Sequence, residues 1–273
     1  MAGRELSSTR SPRVKAARRL AKRAFRRREN RFLAEGPQAV REALALDGVL
    51  TELFATAEAE NRHQDLVGRA EKSGVPIARV SAEVMAELAQ TVTPQGLLAV
   101  CRFVDVPLES ALSAAPRLVT VLAHVRDPGN AGTVLRTADA AGSDSVIFTD
   151  ASVDPYNGKC VRASAGSLFH LPVVMGPRFD ALIPALKQAG LTVVAADGAG
   201  ESSLDTALDT GMLDRPTAWV FGNEAWGLPE EILTAVDEVV RVPIYGGAES
   251  LNLATAAAVC LYTSARAQRA GRA

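Results

Sequence analysis

The run Leu118–Ala123 (LVTVLA) is apolar at every position but one. A strand of that composition has no side suited to water, so it belongs in a sheet covered on both faces, and such sheets are parallel with helical crossovers. The segments around it keep that alternation. Ser145–Phe148, Leu171–Met175, Leu191–Ala196, Ala218–Phe221 and Glu238–Val242 read as further strands. Helical stretches intervene at about Ala131–Ala141, Lys159–Ala165 and Phe179–Ala189 and from Pro229, and a last helix runs from Leu251 to Gln268. The pattern predicts a doubly wound α/β domain over residues 117–273, with ligands beyond the C-terminal ends of its strands.

The first half alternates on a smaller scale. A helical pattern over Ser11–Asn30 has only Val14, Leu20 and Phe25 as apolar positions. A helix is expected to start at Pro37, since proline suits the first helical position, and to end near Asp47-Gly48. Val49–Ala55, Val75–Val80 and Gly96–Phe103 read as strands, with helices at Asn61–Ser73 and Ala82–Gln90. This predicts a small α/β domain over 32–103. Residues 104–116, with two prolines and no period, read as a linker.

A formal net charge of −1 conceals an asymmetry: residues 1–31 hold twelve basic side chains against Glu5 and Glu29. Such density suggests a basic helical arm for a polyanion, nucleic acid in particular; a solvated basic helix is the plainer alternative. No apolar run approaches the roughly 20 residues of a membrane span, and the basic N-terminus lacks an apolar core for secretion. Cys101, Cys160 and Cys260 are odd in number and far apart, which fits neither a disulfide framework nor a zinc site. A cytoplasmic protein without a metal is expected.

Three loops carry the chemistry, each just past an expected strand. His124–Arg136 (HVRDPGNAGTVLR) joins a turn at Asp127–Asn130 to Gly132 and to Arg136, whose guanidinium suits phosphate or a developing oxyanion. Trp219–Glu230 (WVFGNEAWGLPE) sets Glu224 between Gly222 and Gly227. Val242–Ala254 (VPIYGGAESLNLA) has a double glycine, Gly246-Gly247, which lets a ligand approach the main chain, then Ser250 and Asn252 at a helix start. Each also reads as plain architecture: a turn with a surface Arg, an exposed Glu, a helix capped by Ser250. His170, between Phe169 and Leu171, reads as structural. Phosphate-loop, dinucleotide, nucleophile-elbow and metal-ligand patterns do not occur.

Taken together, N-x-G-x-x-x-R (Asn130, Gly132, Arg136), F-G-N-E-x-x-G-L (Phe221–Leu228) and I-x-x-x-x-x-S-L-N (Ile244–Asn252) resemble the three ordered motifs of SpoU-family (TrmH-type) RNA 2′-O-ribose methyltransferases. Ser164–Pro172 resembles that family too, and the first domain looks like the small α/β substrate-binding domain often fused in front. The resemblance implies a trefoil-knotted parallel-sheet methyltransferase domain, a fold that periodicity cannot suggest because knots are almost absent from proteins. It implies S-adenosylmethionine as methyl donor, RNA as substrate and a homodimer. Main chain at Gly222, Ile244 and Leu253 would bind the adenosine, with Leu228 and Ser250 nearby. Arg136 matches the essential arginine; Asn130, Glu224, Ser250 and Asn252 would shape the site, with Glu224 holding Arg136 or Asn130. The extra domain favours 23S ribosomal RNA over tRNA. A non-catalytic RNA-binding ribosome-assembly protein is the reading from another class.

Overall fold

The computed structural model describes residues 5–89 and 91–270. Residues 1–4 of the basic segment, Gln90 of the expected helix 82–90 and the terminal residues 271–273 lie outside them. The chain falls into two compact units: residues up to Val104 together with Asp154–His170, and Asp105–Val153 together with Leu171 onward.

In the first unit four strands, β1 (Arg31–Glu35), β2 (Leu50–Ala55), β3 (Ile77–Arg79) and β4 (Leu97–Arg102), form a sheet in the order β1-β4-β2-β3. The strand β1 does not stand out in the sequence, because Phe32, Leu33 and Ala34 are all buried where alternation would expose one. The cause is non-local. The helix Gly158–Ala163 packs on β1, and Phe32 lies 4.6 Å from the Tyr156 ring, centroid to centroid. The segment Asp154–His170 therefore belongs to this unit and not, as the sequence order implies, to the second. His170 is exposed, and its Nε2 stands 3.2 Å from a Glu42 carboxylate oxygen.

The basic segment is not a free arm. Its helix breaks into Pro12–Arg19 and Arg23–Glu29, and the second ends at Asn30 in the left-handed conformation, φ 49°. Val14, Ala17 and Leu20 sit in the core with Phe54, Val84 and Leu98. Arg26 is buried, donating to Asp154 through Nε (3.0 Å) and Nη2 (2.6 Å) and to the carbonyls of Leu20 and Ala21. Lys15, Arg19, Lys22, Arg23 and Arg27 stay exposed, as an amphipathic helix pair requires.

Among the described residues the second unit holds seven parallel strands: β5 (Leu118–Leu122), β6 (Ser145–Phe148), β7 (Val173–Met175), β8 (Thr192–Ala196), β9 (Ser202–Ser203), β10 (Thr217–Phe221) and β11 (Glu238–Arg241). Their order is β7-β6-β5-β10-β8-β11-β9. Every residue of β5 and β10 is buried, as the apolar runs require. The indole N–H of the wholly buried Trp219 donates to Ser264 Oγ at 2.8 Å, tying β10 to the helix Leu253–Ala270. Residues 105–116 are no loose linker: Val106 N–H donates to the Val173 carbonyl at 2.9 Å, and the helix Leu108–Leu112 packs on the sheet core. The strand Ser202–Ser203 and the helix Leu204–Asp209 were also not legible, being too short and polar to show a period. Among the described residues no helix is long and apolar enough to cross a membrane. The C-terminal ends of β5, β10, β8 and β11 stand close in one sheet, which gathers the loops that follow them.

Candidate active site

The loop after β5 starts at His124, a non-glycine residue at φ 57°. Asp127-Pro128-Gly129-Asn130, expected as a turn, is the first turn of the helix Pro128–Ala141. Asp127 is its N-cap, accepting from Asn130 N–H at 2.8 Å, and Pro128 takes the first helical position. Asn130 is thereby fixed at the helix mouth. Arg136, six residues on, is exposed, and its side chain has no hydrogen bond or ion pair among the described residues.

The loop after β10 folds over this mouth. Asn223 Nδ2 donates to the His124 carbonyl at 2.9 Å, and Asn223 and Gly227 exchange backbone hydrogen bonds of 2.8 and 2.9 Å. Glu224 accepts from the backbone N–H groups of Arg126 (3.4 Å) and Asp127 (3.3 Å) and from Asn130 Nδ2 (3.2 Å). Of the two partners expected for Glu224, the geometry selects Asn130. Asn130 Oδ1 in turn accepts from Asn252 Nδ2 at 3.1 Å. A chain of side chains, Asn252–Asn130–Glu224, thus joins all three loops across sequence separations near one hundred residues.

The third loop differs from expectation in two respects. The helix begins at Leu253, and Asn252, not Ser250, caps it, its Oδ1 accepting from Ala254 N–H at 2.9 Å. The helix starts two residues later than the sequence pattern places it, which leaves Ser250 exposed and outside the capping position. Gly246 and Gly247 face open space and do not take positive φ. The crowded glycine is Gly222: a Cβ there would stand 2.5 Å from the Gly227 carbonyl and 2.8 Å from Leu228 Cγ.

Between the loops after β8, β10 and β11 lies a cavity of about 380 Å³, lined by Gly222, Glu224, Ile244, Ser250, Asn252 and Leu253 among others, and the loop after β5 stands beside it. That volume is within the range of about 300–1,000 Å³ common for small-molecule sites. Leu228 is absent from the lining; it is 6 % exposed and packs in the sheet core beneath Gly222, supporting the loop from behind. Asp197 and Glu249 join Glu224 on the wall, so the lining carries three carboxylates and no lysine, arginine or histidine. Such a wall suits a cationic polar ligand rather than a phosphate. Asn223 and Asp197 were missed by sequence reasoning. Asp197 carries the same signal as the three loops, a polar residue followed by glycine at a strand end. Among the described residues no group of three or more His, Cys, Asp or Glu is arranged to hold a metal.

Comparison with known proteins gives a concordant result. The model of the SpoU rRNA Methylase family matches residues 117–262, and that of the MRM3-like substrate binding domain matches 11–99. The second match takes in most of the basic segment, as does the first unit of the fold. The chain is 34% identical to 23S rRNA (guanosine(2553)-2'-O)-methyltransferase RlmP of Bacillus subtilis, over 95% of this chain and 98% of that one. It is 34% identical to the 23S rRNA (guanosine-2'-O-)-methyltransferase RlmB of Bordetella pertussis, over 78% of this chain and 86% of that one. The crystal structure of an AdoMet-bound rRNA methyltransferase from Sinorhizobium meliloti superposes with TM-score 0.81 at 29% identity, covering 96% of this chain and 97% of that one.

Proposed function

The chain belongs to the SpoU rRNA methylase family, and from that membership and the cavity we propose that it transfers a methyl group from S-adenosylmethionine to a ribose 2′-hydroxyl of 23S ribosomal RNA, in the cytoplasm. The observation that carries this reading is the Asn252–Asn130–Glu224 chain, which ties the first motif loop to two residues, Glu224 and Asn252, that line one cavity.

The residues present fit the donor. S-adenosylmethionine is a cationic sulfonium with an ammonium group, and Asp197, Glu224 and Glu249 supply the opposite charge on the wall. Main chain at Gly222, Ile244 and Leu253 would hold the adenosine, with Ser250 at the rim and Leu228 bracing the loop. Bound there, the cofactor supplies an electrophilic methyl group. The chain itself must hold the 2′-hydroxyl in line and stabilise the oxygen as its proton leaves. Arg136 is suited to both: its planar fork binds a substrate phosphate and offsets developing oxyanion charge. Asn130, held at its oxygen by Asn252 and at its nitrogen by Glu224, keeps its orientation through the reaction.

The test is incorporation of labelled methyl from S-adenosylmethionine into 23S ribosomal RNA, followed by mapping of 2′-O-methyl sites in deletion and complemented cells. Methylation of tRNA alone would move the substrate, and absence of cofactor binding in calorimetry would favour the ribosome-assembly reading. Glu224→Ala releases Asn130 and leaves two backbone N–H groups without their acceptor. Hydrogen bonds to charged groups contribute roughly 1.5–3 kcal/mol. Single-turnover rates should fall about ten- to a hundredfold in a variant that remains folded by circular dichroism, with at most a few degrees' loss in melting temperature; an unchanged rate would remove the network from the mechanism.

Two further properties are part of the proposal. The chain around residues 197–200, 222–228 and 242–252 is threaded as a trefoil knot. Support comes from β10 lying between β5 and β8, and from Gly200, where a Cβ would stand 2.7 Å from the Val239 carbonyl. The protein is a homodimer. Ile244, Tyr245, Leu251, Val259 and Tyr262 are exposed large apolar residues on the third loop and the helix that follows, a grouping that suits an interface. Val259→Asp combined with Tyr262→Glu should give a monomer in analytical ultracentrifugation; a dimer that survives both changes places the interface elsewhere.

A further inference from the structure

Trp226 lies in the loop after β10, whose neighbouring residues Gly222, Asn223, Glu224 and Gly227 line the cavity, yet Trp226 does not line it. Trp226 is 52 % exposed. Beneath it is His124, with ring centroids 5.5 Å apart at 63°, and beside His124 is Phe179, at 5.8 Å and only 7° from parallel. His124 is held in the left-handed region, φ 57°, and its carbonyl accepts from Asn223 Nδ2. A non-glycine residue keeps that conformation only where its surroundings impose it, and such residues gather at functional sites. The exposed Arg126 is two residues away.

We propose that Trp226, backed by His124 and Phe179, is a stacking platform for an unpaired nucleobase of the RNA substrate next to the cofactor cavity. The proposal rests on the methyltransferase reading and names what the site would recognise. The packing of the fold does not require a half-exposed indole here, because the sheet core beneath the loop is closed by Leu228. A ribose brought to the cavity for reaction must leave regular helical stacking, and its base or a neighbour then needs a new partner. Sequence-tolerant recognition of single-stranded RNA uses aromatic faces beside cations. Trp226 offers the face and Arg126 a cation for the adjoining phosphate.

The protein contains two tryptophans, and Trp219 is wholly buried. Titration with a short unstructured RNA oligonucleotide should therefore quench the exposed Trp226 and leave Trp219 unchanged. In Trp226→Phe the quench should vanish while RNA affinity stays near wild type, because a ring remains. In Trp226→Ala affinity for the single strand should fall about five- to a hundredfold, and a blunt duplex of the same sequence should be less affected. Residual Trp219 emission reports that each variant is folded. Calorimetry with S-adenosylmethionine should give wild-type affinity in both variants. If wild type binds no cofactor, the methyltransferase reading fails by itself, whereas the stacking proposal is decided by the quench and the RNA affinities. Unchanged Trp226 emission, or an alanine variant that binds single strands within about twofold of wild type, would overturn it. So would loss of self-association in Trp226→Ala at unchanged RNA affinity, which would assign the ring to a protein interface.

Discussion

Asp154→Ala should lower the stability of the first unit by about 3–5 kcal/mol, the usual consequence of removing one partner from a buried ion pair. Arg26 and Asp154 are 3 % and 7 % exposed at their side chains. One carboxylate oxygen takes both Nε and Nη2 of Arg26, and the other accepts from Tyr156 N–H at 2.9 Å. Alanine leaves a guanidinium enclosed with two donors unsatisfied. The wider loss would be positional, since Asp154 anchors the segment whose helix covers β1. Urea unfolding followed by far-ultraviolet circular dichroism reads the effect, and a midpoint within error of wild type would show that the pair contributes nothing. The double replacement Arg26→Met with Asp154→Leu should recover much of the loss, because an apolar pair of similar volume has no desolvation to offset.

Arg136→Ala is expected to reduce methyl transfer about 10²- to 10³-fold with little change in cofactor affinity, since Arg136 is not part of the cavity wall. The pH dependence of Arg136→Lys distinguishes two roles. Lysine titrates below arginine. Were the side chain a general base, the lysine variant would be active and its rate would climb towards lysine's own titration range. If the side chain instead clamps phosphate and offsets oxyanion charge, the variant stays slow at every pH, because the bidentate fork is lost while the charge is kept. A near-wild-type rate for Arg136→Ala would remove Arg136 from the mechanism.

Much of the second unit was legible in the sequence. Leu118–Leu122, Thr192–Ala196 and Thr217–Phe221 are apolar strands buried on both faces, and composition suffices to place them. The loops that follow were legible as strand-end segments rich in glycine and polar residues. The helix start was not: Ser250 and Asn252 both suit a cap, and only the backbone path assigns it to Asn252. The basic segment misled for a related reason. Its charges dominate the composition, but Val14, Ala17 and Leu20 at helical spacing carry the folding information. The carboxylates that take up Arg13, Arg18 and Arg26 lie far along the chain, at Glu52, Glu87 and Asp154.

By itself the sequence determined the alternation of buried strands and helices, hence a parallel sheet, and the chemistry at three strand ends. Those properties are local: periodicity records which face of an element meets water, and glycine records where backbone must bend. The tertiary structure alone decided which of these residues meet. It placed Asn130 between Glu224 and Asn252, gave Asp154–His170 to the first unit, put Leu228 behind the cavity wall and set Trp226 over His124. The meeting of Asn130, Glu224 and Asn252 depends on the order in which strands are inserted into the sheet, with β10 between β5 and β8, and the placing of Asp154–His170 on packing against β1. That order is settled by packing among residues distant in sequence, and no local pattern records a partner's identity.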